Sequence, residues 1–318
     1  LATENSRAFW IAGPKRCEIR TAPLGALAPG HVRVRTRLTG ISRGTERLVH
    51  AGAVPTSEFE RMRAPFQQGG FDFPVKYGYC ALGTVVAGEG LAPGTRIFAL
   101  HPHQDVFDVP AAAALPVPDD VPDAAVPLAA HLETALNALW DHPARVGDRV
   151  AVVGLGAIGL CLARLLASVP GIDLAALDPS SAARARAGLP SDCADDRDLV
   201  FHCSGTAAGL AKAVALAGFE ATVVEMSWYG DRDVPVALGG AFHSRRLTLA
   251  ASQVGAVSPS RRATRSHADR LALALRLLAE PRFQLELGAP VPFDSLPDRY
   301  AALLDSPDAP PLPLVSYR

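Results

Sequence analysis

Polar and apolar residues alternate with a period of two through the first third of the chain. In HVRVRTRLTGIS, residues 31–42, Val32, Val34, Thr36 and Leu38 fall on one face and Arg33, Arg35 and Arg37 on the other, which predicts a half-buried strand. Further short apolar runs (ALGTVVAGEG, TRIFALHP, DVFDVP) are punctuated by Gly and Pro, so the whole region reads as β-rich. The Pro-rich LPVPDDVPDAAVP ends that regime, and DAAVPLAAHLETALNALW continues with helical periodicity to Trp140. From Asp148 the pattern becomes strand, glycine turn, helix, strand: RVAVVGLGAIGLCLARLLASV, IDLAALD, DLVFHCSG, a helix over AAGLAKAVALAG, then ATVVEMSWYG and RLTLAASQVG. Strands alternating with helices predict a parallel sheet covered on both faces. A helix around HADRLALALRLLAE and a Pro-rich tail follow.

Composition narrows the classes. At 318 residues the chain has room for two domains, and 49% hydrophobic with 20% charged residues supports sizeable cores. A net charge of −1 supplies no basic field, which argues against nucleic acid or an anionic membrane surface as partner. No run reaches the roughly 18 apolar residues of a membrane helix, and LATENSRAF lacks a signal-peptide pattern. Five scattered cysteines (Cys17, Cys80, Cys161, Cys193, Cys203) form no C-x-x-C pair, so free thiols in a reducing cytoplasm are expected.

The sharpest motif is VAVVGLGAIG. Gly154, Gly156 and Gly159 form G-x-G-x-x-G between an apolar strand and a helix. The first glycine permits the turn, the second lets the backbone approach a pyrophosphate, and the third lets helix and strand pack closely. The helix start, with Ala157 and Ile158, offers N–H groups and a partial positive charge to the phosphates. Asp178, 19 residues after Gly159, ends the next strand. A carboxylate there suits the adenosine ribose hydroxyls and repels a 2′-phosphate, so NAD(H) is favoured over NADP(H). Arg184, six residues on, is a candidate for the same region, as partner of a 2′-phosphate or beside the adenine. Ser204, next to last in DLVFHCSG, is grouped with the cofactor-binding residues.

Taken together, GISRGTERL, KYGYCALGTVV, TRIFAL…DVFDVP, LETALNAL and the glycine fingerprint, in that order, resemble the medium-chain dehydrogenase/reductase superfamily over essentially the whole chain. S-x-G-T-E-R followed by G-Y-x-x-x-G is similar to its zinc-free branch of bacteriochlorophyllide hydroxyethyl dehydrogenase-like proteins. The resemblance implies an α/β fold: a Rossmann doubly wound parallel sheet over residues 131–255 and a β-rich GroES-like catalytic domain over 1–130 and 256–318. It also implies a homodimer formed by edge pairing of RLTLAASQVG, with which Leu247 and Leu249 are compatible. Zinc members hold their metal with a Cys, a His–Glu pair and a further Cys or Glu; the matching places here hold Ser42, Tyr79–Cys80 and Ala130. Catalytic zinc needs about three thiolate, imidazole or carboxylate ligands, so no metal is expected. Between Asp178 and Leu199 the chain is also abbreviated, with no room for the longer helix and additional strand of the family.

In the resembled fold, residues 40–52 lie at the floor of the cleft between the domains. Thr45 then matches the hydroxyl that relays a proton in zinc members, and Ser42 occupies the vacated ligand position. Hydride transfer at a nicotinamide leaves an oxygen gaining or losing charge, and without a metal a protic side chain must manage the proton. Tyr79, Ser42, Thr45, His131 and His101 are the candidates. The bland readings beside them are a packed aromatic for Tyr79, helix burial for His131 and a polar loop for His101. Arg43 and His103 are candidates for substrate binding; Arg43, Arg61, Arg63 and Lys76 are otherwise solvated surface charge. Glu46 and Arg47 suit an internal ion pair steadying the bend. The function expected is a zinc-independent, NAD(H)-preferring oxidoreductase acting on a small-molecule secondary alcohol or its carbonyl. The alternatives are an NADPH-dependent enone or quinone reductase and a non-catalytic nucleotide-binding protein.

Overall fold

The computed structural model describes residues 5–307 and 309–317. They divide into two compact units: one built from residues 1–130 and 286–318, the other from 131–285. In the first, β1 (Asn5–Gly13), β2 (Arg16–Pro23) and β3 (His31–Gly40) precede a helix α1 (Arg43–Ala51). The short β4 (Gln68–Gly69) and β5 (Val75–Lys76), then β6 (Ala81–Gly88), β7 (Arg96–Ala99), β8 (Val106–Pro110) and β9 (Leu115–Pro116) follow. The second unit takes α2 (Ala129–Asp141) from its third residue, then β10 (Arg149–Val153), α3 (Ala157–Leu166), β11 (Asp173–Leu177) and α4 (Ser181–Ala187). It continues with β12 (Arg197–His202), α5 (Ala207–Leu216), β13 (Ala217–Glu225), β14 (Thr248–Ala251) and α6 (His267–Leu277). The chain then returns to the first unit with β15 (Val291–Pro292), α7 (Leu296–Asp305) and β16 (Leu314–Ser316).

The first unit holds a four-stranded sheet, β2-β1-β5-β4, and a seven-stranded one along β15-β16-β3-β6-β7-β9, with β8 also pairing β3. Val32 and Val34 point into a core with Val85, Ile97, Phe107 and Val109, as the alternation predicts. That phase breaks near the end of β3. The register with β6 shifts between Thr36 and Leu38, and the next fully buried residue is Thr39, while Leu38 is half-buried. A register shift of this kind flips the side chains beyond it. It turns a hydroxyl, rather than a leucine, into the interior.

The second unit is a five-stranded, all-parallel sheet in the order β11-β10-β12-β13-β14. Its order reverses at β10, the place where open α/β sheets bind ligands beyond their strand ends. β11 is an outer strand among the described residues, and α4 beyond it has only seven residues, in keeping with the abbreviated sequence. β14 is the other outer strand. Leu247, just before it, is buried in the core with Val200, Leu210 and Val223, whereas Leu249 is exposed.

The join back to the first unit lies at 285/286, later than the 255/256 expected from sequence. Arg270 of α6 supplies the reason. It is 1% exposed, and its guanidinium bonds Glu133 and Asn137 of α2 and the carbonyls of Val254 and Ala256. A buried guanidinium must have its donors met, and those partners keep residues 254–277 with the parallel sheet.

Candidate functional site

In the second unit, β10 runs into the glycine turn. Gly154 has φ +99°, and a Cβ there would lie 2.5 Å from the backbone of Ser204. A Cβ on Gly159 would strike the Gly154 carbonyl at 1.9 Å. Both positions therefore require glycine for close backbone packing. Gly156 differs: a Cβ there would meet nothing within 4 Å. It caps α3 without any side-chain bond, just before Ala157 and Ile158. An open, side-chain-free approach to a helix N-terminus fits a pyrophosphate. Asp178, just after β11, is fixed to this turn: Oδ2 accepts from Leu155 N–H and Oδ1 from Ser180 N–H, both at 2.8 Å. Each oxygen keeps a further lone pair for a ribose hydroxyl. Arg184 donates to the carbonyls of Asp178 (2.6 Å) and Pro179 (2.9 Å), which holds its guanidinium at the same strand end.

Ser204 follows β12 and joins a network absent from the sequence reading. Its Oγ lies 2.6 Å from His202 Nε2, and His202 Nδ1 lies 2.9 and 2.8 Å from the two carboxylate oxygens of Glu225. His202 and Glu225 are the last residues of adjacent parallel strands and are register partners. A sequence signal existed: both apolar runs, DLVFH and ATVVE, end on a titratable residue.

In the first unit, residues 43–51 are a helix rather than a loop. Ser42 stands at its N-cap, yet its hydroxyl makes no cap bond. Glu46 reaches back to this residue, accepting the Ser42 N–H on Oε1 at 2.7 Å. The hydroxyl instead accepts from Tyr79 Oη at 2.5 Å, and Tyr79 also hydrogen-bonds Thr45. Burial, together with Cys80 nearby, raises the Tyr79 phenol well above its ordinary range against the opposing pull of those two hydroxyls. Tyr79 is thus a neutral phenol at working pH and a proton donor, half-buried at the start of the site. Three of the expected candidates, Ser42, Thr45 and Tyr79, come together.

Other expectations are corrected. Glu46 is fully buried and does not pair with Arg47; besides Ser42 it accepts from His103 Nε2 at 3.0 Å and Tyr300 Oη at 2.6 Å. Arg47 instead bonds Asp305 and the Leu304 carbonyl. His103, 1% exposed, faces the interior and not a ligand, because its Nδ1 is taken by Thr39 Oγ1 at 2.6 Å. Arg43 is committed to the carbonyls of Leu304, Ser306 and Ala309, which pin the chain after α7 against α1. His101 is buried, its ring stacked on Phe107 at 3.8 Å and facing Phe66, with Nδ1 on the Pro102 carbonyl. Burial, with Lys76 nearby, pushes its pKa down to about 3, so it stays neutral as an aromatic of the core. Lys76 is not surface charge. It is 3% exposed, bonds Gln104 Oε1 at 2.5 Å, and burial pushes it down to about 8. His131 is buried near the start of α2 in the second unit. Cys80 is fully buried, and burial raises its thiol far above the ordinary range, so it is a filler rather than a nucleophile. Among the described residues no three His, Cys, Asp or Glu side chains come together to hold a metal, and no helix is long and apolar enough to cross a membrane.

This architecture, a Rossmann sheet and a GroES-like β domain, is the fold that the motif resemblance led one to expect, and it is shared with alcohol dehydrogenases of known structure. No family model matches the chain. Among curated proteins it is similar to a 2-desacetyl-2-hydroxyethyl bacteriochlorophyllide A dehydrogenase from Cereibacter sphaeroides, 35% identical over 91 residues. The match takes in 28% of this chain and spans only about a quarter (25%) of that relative's length. Among solved structures it is similar to L-idonate 5-dehydrogenase from Escherichia coli K-12 (TM-score 0.78, 14% identity, 99% of both chains). An alcohol dehydrogenase from Thermus sp. ATN1 superimposes with TM-score 0.75 at 20% identity over 98% of this chain and 100% of that one. An alcohol dehydrogenase from Escherichia coli CFT073, complexed with NADH, does so with TM-score 0.75 at 16% identity over 98% and 99%.

Proposed function

We propose that this chain is a zinc-independent, NAD(H)-preferring oxidoreductase that interconverts a secondary alcohol and a carbonyl. The observation that carries the reading is the glycine turn, open at Gly156 and closed by backbone contact at Gly154 and Gly159, with Asp178 fastened beside it. The nicotinamide dinucleotide, when bound, supplies or accepts the hydride. The turn and the α3 N-terminus bind its pyrophosphate, and Asp178 accepts from the adenosine ribose and disfavours a 2′-phosphate. The dehydrogenase names of the similar proteins, one of them solved with NADH, support a nicotinamide cofactor.

Proton handling falls to Tyr79, Ser42 and Thr45. A neutral phenol donates to an oxygen as it gains charge, and hydroxyls, being both donors and acceptors, pass the proton on. The donor set suits this chemistry better than zinc, since among the matching places only Cys80 is of ligand type, and Ser42, Tyr79 and Ala130 stand where further thiolate, imidazole or carboxylate groups would be needed. Pairing of two copies along β14, with Leu249 outward, makes the working form a homodimer.

The test is reduced-nicotinamide absorbance with the full chain, NAD or NADP and a panel of secondary alcohols and enones, with metal analysis on the same sample. NAD-linked alcohol oxidation by metal-free protein is expected. Turnover confined to enones with NADPH, dependence on zinc, or no dinucleotide affinity would each overturn the reading.

A further inference from the structure

His202, Ser204 and Glu225 form a cluster that proton handling by Tyr79 and Ser42 leaves unused. Burial works against the charge on Glu225, but hydrogen bonds from His202 and Ser227 hold its carboxyl below the usual range. Tyr229 Oη also donates to it at 3.0 Å. A carboxylate on both its oxygens near Nδ1 makes that nitrogen the protonated one, so Nε2 is an acceptor and Ser204 Oγ–H donates to it at 2.6 Å. His202 is fully buried, so the imidazole is held by its surroundings, whereas Ser204 is partly exposed at the end of β12.

The neighbouring helix is shaped around this pair. A Cβ on Gly209 of α5 would lie 2.0 Å from Ser204 Oγ and 2.7 Å from His202 Nε2. Only a glycine lets α5 approach this closely. Thr206, its N-cap, bonds Ser204 Oγ through N–H (3.2 Å) and hydroxyl (2.9 Å), which places the serine oxygen at the positive end of the helix.

We propose that Ser204, with His202 as its base and Glu225 orienting that base, is a nucleophile for activated acyl compounds such as aryl esters. Carboxylate, imidazole and hydroxyl in this order are what activates a serine on unrelated folds. Ser204 Oγ bonds to the acyl carbon as its proton passes to His202 Nε2, the carbon–oxygen bond to the aryloxide breaks, and the leaving oxygen takes that proton to become the phenol. Water then attacks the acyl-serine, its proton going to His202 and from there to Ser204 Oγ as the acyl–Oγ bond breaks, which releases the carboxylic acid and the free serine. One ester and one water become one acid and one phenol.

The experiment incubates the full chain, without dinucleotide, with p-nitrophenyl acetate and maps acetylation by peptide mass spectrometry. It is therefore independent of the cofactor reading. Acetylation of Ser204 in the native chain, absent from the same chain in urea and from Ser204→Ala, is expected. His202→Gln should slow p-nitrophenol release by about a hundredfold. Acetyl groups only on lysines, or equal labelling of Ser204 in native and unfolded chain, would overturn the proposal. So would an unchanged rate in folded His202→Gln, and if that variant does not fold, the comparison of native with unfolded chain decides alone.

Discussion

Each unit contains a carboxylate, an imidazole and a hydroxyl in one hydrogen-bonded row, and the two rows end differently. In the first unit Glu46, His103 and Thr39 are all buried, and the row runs on from Thr39 to Tyr317 Oη at 3.1 Å. In the second, Glu225, His202 and Ser204 end on a partly exposed serine beside the glycine turn. The chemistry of the groups is the same; solvent access separates them. A row whose carboxylate, imidazole and first hydroxyl are all buried holds strands and helices together, and a row whose first hydroxyl is partly exposed can act on something outside. The buried row also borders the hydroxyl cluster: Glu46 accepts the Ser42 N–H, and the Ser42 hydroxyl accepts from Tyr79.

The contrast can be broken by mutation. Glu46→Ala strands three donors in the interior, and should cost about 3–5 kcal/mol in urea unfolding; Glu225→Ala, nearer solvent, should cost about 1 kcal/mol. Equal losses would erase the distinction. Tyr79→Phe removes the donor but not the packing, so kcat should fall about a hundredfold with the unfolding midpoint nearly unchanged. A large stability loss with kcat intact would move Tyr79 into the structural class.

Lys76 sharpens the comparison from the other side, as a buried charge with no carboxylate in its row. Its folded pKa, about 8, lies below the unfolded value of 10.5. Between those values the unfolded chain binds the extra proton, so stability rises with pH through that window and the penalty is fully present below it. Lys76→Met should therefore be more stable than the parent at pH 7.5, and its lead should shrink by about 2 kcal/mol by pH 9.5. A constant lead would mean that the amine is not buried as an ammonium. The two hydroxyls can be compared directly. Thr39→Val leaves His103 Nδ1 and Tyr317 Oη unmet and should cost about 1–2 kcal/mol, against almost nothing for Ser204→Ala.

The sequence revealed most where a pattern is local. The alternation in β3, the glycine fingerprint with Asp178 and the shortened stretch after β11 all follow from neighbours along the chain. Ser42, Thr45 and Tyr79 were found because a motif order placed them, not because any spacing required contact. What stayed hidden depends on partners distant in sequence. Glu46 finds Tyr300, 254 residues away, and Arg43 finds carbonyls beyond Leu304. His103 and Lys76 look like solvated side chains until the fold supplies Thr39 and Gln104. Arg270 could not be assigned to either unit without seeing Glu133 and Asn137.

The division of the chain at 130/131 and 285/286 has a consequence for synthesis on the ribosome. The parallel-sheet unit is one uninterrupted stretch and is ready to close as soon as it has emerged. The β unit is not. Its first 130 residues must wait for the last stretch to bring Tyr300, Tyr317 and β16, with which Glu46, Thr39 and β3 are paired. At elongation speeds of about 5–20 residues per second that delay is roughly 10–40 s. During that interval an acidic side chain destined for the interior stays hydrated, and the half of the molecule translated first is the half that matures last.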